Sequence, residues 1–115
     1  MKLLILLSVL LFSSSALSLD YAVGKVKKIR LFSMTSEPYN TTTKGLAMVY
    51  IDELPGACAT TEKRIAIDSS HPLFESFLAL ALVSKSTGTP VNIGYQSTCN
   101  LRGNAWDFGL IELLE

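Results

Sequence analysis

The alternation of apolar and polar residues predicts a long strand at the start of the globular part of the chain. Branched and aromatic residues dominate Val23–Met34, and the pattern turns Val26, Ile29 and Leu31 inward. The alternation slips by one position at Lys27-Lys28, which predicts a β-bulge with both basic residues facing solvent. Bulges bend strands, as closure of a sheet into a barrel requires.

Two strands joined by a tight turn are predicted next. Gly45–Asp52 alternates as a strand does. Leu54-Pro55-Gly56 then predicts a tight turn, because proline presets φ and glycine accepts a positive φ. The segment Ala57–Asp68 should therefore return antiparallel to the preceding strand, with Ile65 and Ile67 packed inward.

A helix follows, since Leu73–Ser84 places apolar side chains at helical spacing. Its start is predicted at Ser69-Ser70-His71-Pro72, where serine hydroxyls can cap free backbone N–H groups and proline is tolerated. Gly88 suits a left-handed cap, and Pro90 cannot continue the helix. Because apolar residues cover much of the circumference, we expect a buried helix.

The last two strands are predicted at Val91–Gln96 and Trp106–Leu114, separated by the loop Cys99–Ala105. In the first of them, Val91, Ile93 and Tyr95 share a face. The pattern thus predicts a mainly β domain with one helix, arranged as a five-stranded OB-fold-like barrel with the helix between strands 3 and 4. Other five-stranded mixed domains share this element order.

The N-terminal residues have the layout of a cleavable signal peptide. Lys2 supplies a positive charge, Leu3–Phe12 is apolar, and Ser13-Ser14-Ser15 ends the apolar run before a predicted cleavage after Ser18. The run is about half as long as a membrane-spanning helix needs to be. We therefore expect residues 1–18 to be a signal peptide and the protein to be secreted or periplasmic.

Residues 19–115 are expected to form a single domain, because about 97 residues have room for one core. Lysine plus arginine and aspartate plus glutamate balance at ten each. No long-range field therefore draws the chain to nucleic acid or to an anionic membrane, and neither partner is favoured.

Both cysteines, Cys58 and Cys99, are expected to pair in a structural disulfide, because exported thiols are oxidised. The pair does not form a Cys-x-x-Cys motif, which disfavours the alternative of a redox role. An intermolecular bond is disfavoured further.

Five segments that together span about half of the domain carry a resemblance to a known family: Phe74–Lys85, Thr87-Gly88, Val91–Tyr95, Cys99 and Gly109–Leu113. Through them the domain resembles the secreted OB-fold B subunits of pertussis-type and subtilase-type AB toxins. In that family a buried helix with a glycine cap leads into a Val-x-Ile-x-Tyr strand, a disulfide cysteine and a closing apolar strand. The resemblance implies glycan binding and assembly as a homo-oligomeric ring.

Catalytic chemistry finds little support in the sequence, and we expect a protein that is not an enzyme and needs no cofactor or metal. His71 is the single histidine and sits at the helix start, where contributing to the cap is favoured over acid–base work. The adjacent carboxylates Asp52 and Glu53 point to opposite faces of a strand, which favours turn solvation over an acid–base pair.

A ligand-binding site is predicted in the last loop, at Trp106, Arg102, Asn104 and Asp107. An indole beside amide, carboxylate and guanidinium groups is the combination that sugar recognition needs. We therefore expect an exported, non-enzymatic binding module for a glycan. The alternative is a periplasmic or secreted domain that binds or inhibits a protein partner.

Overall fold

The computed structural model describes residues 18–33 and 44–115, and shows a mainly β fold with one α-helix in those ranges. The regular elements are β1 Asp20–Gly24, β2 Val26–Ser33, β3 Gly45–Ile51, β4 Arg64–Asp68, α1 Phe74–Thr87, β5 Val91–Gln96 and β6 Trp106–Leu113. The predicted signal peptide, except for its last residue, lies outside the described residues.

The strands form a mixed sheet in the order β1-β5-β6-β4-β3-β2. β4 and β6 run parallel, and every other neighbouring pair is antiparallel. The strands at the two ends of this order, β1 and β2, are consecutive in the chain and are separated only by Lys25.

The predicted number of strands, five, and the predicted place of the helix, after the third strand, are both wrong. The described residues contain six strands, and α1 lies between the fourth and the fifth. The predicted first strand divides at Lys25, whose backbone N–H donates to Asp52 Oδ1 at 2.8 Å instead of joining a ladder. Before this point the chain pairs with β5, and after it with β3. The predicted bulge is confirmed, because the register shifts between Val26 and Lys28.

The larger core lies on one face of the sheet, which we call the inner face. Its fully buried members include Phe77 of the helix and Ile51, Ile65, Ile67 and Ile93 of the strands. The predicted inward positions of Ile65 and Ile67 are thereby confirmed.

Leu31 was predicted to point into this core but is 61% exposed. It lies towards the end of β2, which is the last strand in the sheet order.

A second, smaller cluster covers the opposite side of β3 and β4, which we call the outer face. Leu46, Met48, Ala66 and Ala105 are buried there, and Phe32, Tyr50 and Leu101 pack against them. Since Leu101 and Ala105 belong to the loop between β5 and β6, that loop folds back over the outer face.

The turn after β3 is not of the predicted kind. Gly56 has a φ of −60°, and the positive φ angles fall on Cys58 and Ala59. Gly56 is required for a different reason, because a Cβ at this position would lie 2.0 Å from the carbonyl oxygen of Thr60. The predicted antiparallel return is confirmed by the pairing of β4 with β3.

The helix is buried along one side only, through Phe77, Ala81 and Ser84. Leu82 is 58% exposed and Val83 41% exposed, so the expectation of a buried helix is wrong. Apolar residues around the whole helix show only that it could be buried on every side. Burial also requires a neighbouring element on each of those sides.

The predicted serine caps are absent from the helix start. Ser69 Oγ accepts from the backbone N–H of Gly45, and Ser70 is hydrogen-bonded to Asp68. His71 Nδ1 instead accepts the N–H of Leu73 at 3.0 Å, so the histidine contributes to the helix start as predicted.

Gly88 ends the helix with a φ of 73°, as predicted, and offers a test of this cap. We expect Gly88→Ala to lower the free energy of unfolding by about 1 kcal/mol, because an L side chain is strained in the left-handed region. No atom lies within 4 Å of an added Cβ, so the cost is conformational alone. Gly103→Ala, which also meets no atom but has no positive φ, should be nearly neutral in the same urea titration.

Candidate functional site

The predicted disulfide between Cys58 and Cys99 is present, with a Cα–Cα distance of 6.5 Å. Cys58 lies in the short 3-10 helix Ala57–Ala59 between β3 and β4, and Cys99 lies in the loop between β5 and β6. The bond therefore ties the loop that carries the predicted ligand site to the segment between β3 and β4.

The carboxylate of Asp107 fixes the loop between β5 and β6 through hydrogen bonds. The residue is 9% exposed, and its carboxylate accepts from the backbone N–H groups of Asn100, at 3.0 Å and 3.1 Å, and of Leu101, at 3.4 Å. The hydroxyl of Thr98 donates to the same carboxylate. The structure thus places Asp107 as the internal anchor of the loop.

Trp106 lies on the inner face, where its ring packs 5.1 Å from that of Tyr95, measured between centroids. Its indole Nε1–H donates to the carbonyl oxygen of Pro55 at 3.0 Å. Burial raises the pKa of the adjacent Tyr95 phenol. Trp106 and Asp107 are successive strand residues that point to opposite faces, so they do not meet in one site.

Arg102 and Asn104 lie over the outer face. The guanidinium carbon of Arg102 is 4.6 Å from the ring centroid of Phe32, and the backbone oxygen of Asn104 accepts from Arg64 Nε at 3.1 Å. The structure therefore brings these two predicted residues towards β2 and β4, and separates them from Trp106.

Tyr50 is surrounded by cations on the same outer face. Lys28 Nζ lies 4.3 Å from its ring centroid, and the guanidinium carbons of Arg64 and Arg30 lie at 5.4 Å and 6.0 Å. Arg64 Nη1 also donates to the Tyr50 hydroxyl. We call Lys28, Arg30, Arg64 and Arg102, with the rings of Tyr50 and Phe32, the cationic face.

Sheet register assembles this surface, and it explains why the sequence did not reveal the surface as a whole. Lys28 pairs with Tyr50, and Tyr50 pairs with Arg64. The alternation of Lys28 and Arg30 with Ile29 is visible in the sequence, but their proximity to Arg64 and Arg102 depends on strand pairing and loop placement.

No carboxylate among the described residues lies within 4.0 Å of a cation of the cationic face. The ion pair that these residues do form joins Lys27 Nζ to Asp52 Oδ2 at 3.8 Å and includes none of the four cations. The carboxylates of Asp107 and Asp68 lie on the outer face by register, beyond this distance, and accept hydrogen bonds from the loop and from Ser70. The hydrogen bond from the Ser70 hydroxyl lowers the pKa of Asp68.

A cleft of about 240 Å³ opens beside His71, between β4 and the loop after β5. Gln96, Asn100 and Asp107 contribute polar groups to its wall, and the His71 ring meets Phe108 edge-on with a centroid distance of 5.3 Å. The described residues that line it include no serine, threonine or cysteine to act as a nucleophile.

Comparisons with protein-family models, with curated proteins and with solved structures found no match. Within residues 18–33 and 44–115, no three histidine, cysteine, aspartate or glutamate side chains form a group suited to a metal ion. The helix that the structure describes is not long and apolar enough to span a membrane.

Proposed function

We propose that the protein is an exported, non-enzymatic binding module and that its ligand is a glycan. The cationic face carries this proposal. Three exposed cations, of which Arg102 lies in the Cys99–Ala105 loop, present hydrogen-bond donors, and aromatic rings hold two of those cations, Lys28 and Arg102, in place. Donors fixed in advance on a sheet lower the ordering cost of binding a hydroxyl-rich ligand.

We further propose that the sheet is an OB-fold-like barrel whose first strand is divided into β1 and β2. The strand order supports this reading, because its two ends are joined through Lys25. When β1 and β2 are taken together, the helix follows the third strand. Barrels of this class bind oligosaccharides and oligonucleotides on their sheet face and adjoining loops.

The resemblance to AB-toxin B subunits supports glycan binding and adds the proposal of a ring-shaped homo-oligomer. Export rests on the signal-peptide layout, and a disulfide agrees with an oxidising compartment.

A protein-binding or inhibitory domain is the second candidate function, and an apolar groove favours it. The groove, about 360 Å³ in volume, lies between β2 and α1 and is lined by Ile29, Leu31, Leu78, Leu82 and Lys85. Leu31 and Leu82 are 61% and 58% exposed. β2 is the last strand in the sheet order, and no strand among the described residues pairs with its outer edge, which would accept a partner strand beside this groove.

The experiment that tests the glycan proposal is an array screen of the oxidised domain beginning at Leu19, with its mass in solution measured on the same sample. We expect binding that Arg102→Ala weakens about threefold, because the substitution removes an exposed donor at the edge of the cationic face. Lys85→Ala, which removes an exposed cation beside the apolar groove, is the matched control and should bind as the unaltered protein does.

A silent array from a monomer would overturn the glycan proposal in favour of a protein partner. Binding that Arg102→Ala leaves unchanged would overturn the assignment to the cationic face. Trp106→Ala is a poor probe of binding, because Trp106 packs against the inner core and its effect would report stability.

A further inference from the structure

We infer that the glycan is polyanionic and that the cationic face binds charged groups on more than one of its rings. This inference rests on the proposed function and names the class of glycan.

The strongest support comes from Arg64, a charged residue that is only 6% exposed. A buried charge is costly unless an opposite charge or several hydrogen bonds compensate it. The hydrogen-bond acceptors of Arg64 are neutral: the backbone oxygen of Asn104 and the hydroxyl of Tyr50. No carboxylate among the described residues lies within 4.0 Å of it. These hydrogen bonds satisfy its buried polar atoms without neutralising its charge, so Arg64 adds to the positive potential that an anion at this surface would meet.

The remaining cations extend the site along β2. Lys28 and Arg30 lie near Tyr50, whereas Arg102 lies over Phe32, four positions after Lys28. At about 3.3 Å per strand residue, the Cα atoms of Lys28 and Phe32, which mark the two ends of the surface, are about 13 Å apart. One anionic group cannot neutralise cations at both ends, so a chain with repeated charges fits better than a single acidic sugar.

The rings favour a saccharide over a single-stranded nucleic acid. Binding of single strands relies on exposed aromatic rings on which bases stack. Here Lys28 and Arg64 lie over Tyr50, and Arg102 lies over Phe32. Because cations occupy these rings, the surface offers charged donors and leaves little room for stacked bases.

The test is calorimetric titration of the oxidised domain with matched pairs of oligosaccharides. Oligogalacturonate is compared with its neutral methyl ester, and sulfated dextran oligosaccharide with unsulfated dextran. We expect a charged member to bind at least tenfold more tightly than its neutral counterpart, and its affinity to fall at high ionic strength. The tighter of the two charged ligands identifies carboxylate or sulfate as the preferred group.

Variants then locate the binding. The double substitution Lys28→Gln with Arg30→Gln should weaken binding of the charged ligand about tenfold, because two exposed charges are lost. Lys85→Gln should leave it unchanged. Arg64→Lys keeps a positive charge but loses the planar fork, so we expect weaker binding. Since Arg64 is buried, its thermal unfolding is checked first, and the exposed pair carries the test if this variant does not fold.

Equal affinity for charged and neutral ligands would overturn the inference and leave the glycan proposal standing. Failure of every saccharide to bind would overturn both. Equal binding of oligoglutamate or oligothymidylate would overturn the saccharide assignment, and an equal loss in Lys85→Gln would show non-specific attraction.

Discussion

Replacing Cys58 and Cys99 together with serine is expected to lower the free energy of unfolding by about 4 kcal/mol. The bond closes a loop with a sequence separation of 41 residues, and in the chain-entropy model a loop of this size stabilises by about that amount. This is a large share of the stability of a small domain. Urea denaturation of the oxidised protein and of the double variant measures the difference.

The reduced protein is the control for the disulfide prediction. The unaltered protein reduced with dithiothreitol should unfold at the same urea concentration as the double variant, because both lack the same bond. A difference below about 1 kcal/mol between oxidised protein and variant would contradict the prediction. It would show that the reduced, unfolded chain retains structure that already limits its conformational entropy.

Replacing Asp107 with alanine is expected to cost about 3 kcal/mol of unfolding free energy. The carboxylate is the acceptor for the backbone N–H groups of Asn100 and Leu101 and for the hydroxyl of Thr98, and hydrogen bonds to charged groups are among the stronger ones. Without it, Thr98, Asn100 and Leu101 lose their shared acceptor on β6. Urea titration gives the stability.

Hydrogen exchange separates this local effect from general destabilisation. The amides of Asn100 and Leu101 should exchange faster in Asp107→Ala under conditions where those of β3 remain protected. Glu112→Ala, which removes an exposed carboxylate from the same strand, is the matched control and should change the unfolding free energy by less than about 0.5 kcal/mol. Unchanged exchange in Asp107→Ala would contradict the anchoring role.

The predicted fold was most accurate where side-chain pattern and backbone chemistry agree. Val91–Gln96 was predicted with the observed bounds, because its alternation begins just after the glycine cap and Pro90. The turn after β3 was less accurate, since the positive φ angles fall on Cys58 and Ala59, neither of which is a residue type that favours them. The predicted burial of the helix was wrong because burial depends on which elements pack around the helix. A single sequence does not specify those elements.

The four residues of the predicted ligand site lie on two faces of the sheet in the structure. They were grouped because they are close together in the sequence and were taken as one loop. Trp106 and Asp107 were grouped by proximity in sequence, although the alternation rule that separated Asp52 from Glu53 also separates them once Trp106 begins a strand. Arg64 was missed for the opposite reason. It is 14 positions from Tyr50 in the chain, and only the pairing of β3 with β4 brings them together.

The position of β1 at one end of the sheet order has a consequence for how the chain folds. Asp20, the first residue of β1, pairs with Tyr95, which is synthesised 75 positions later. Contacts of such long range are slow to form, and β1 has no partner until β5 exists. The sheet is therefore completed only when nearly the whole chain has been made.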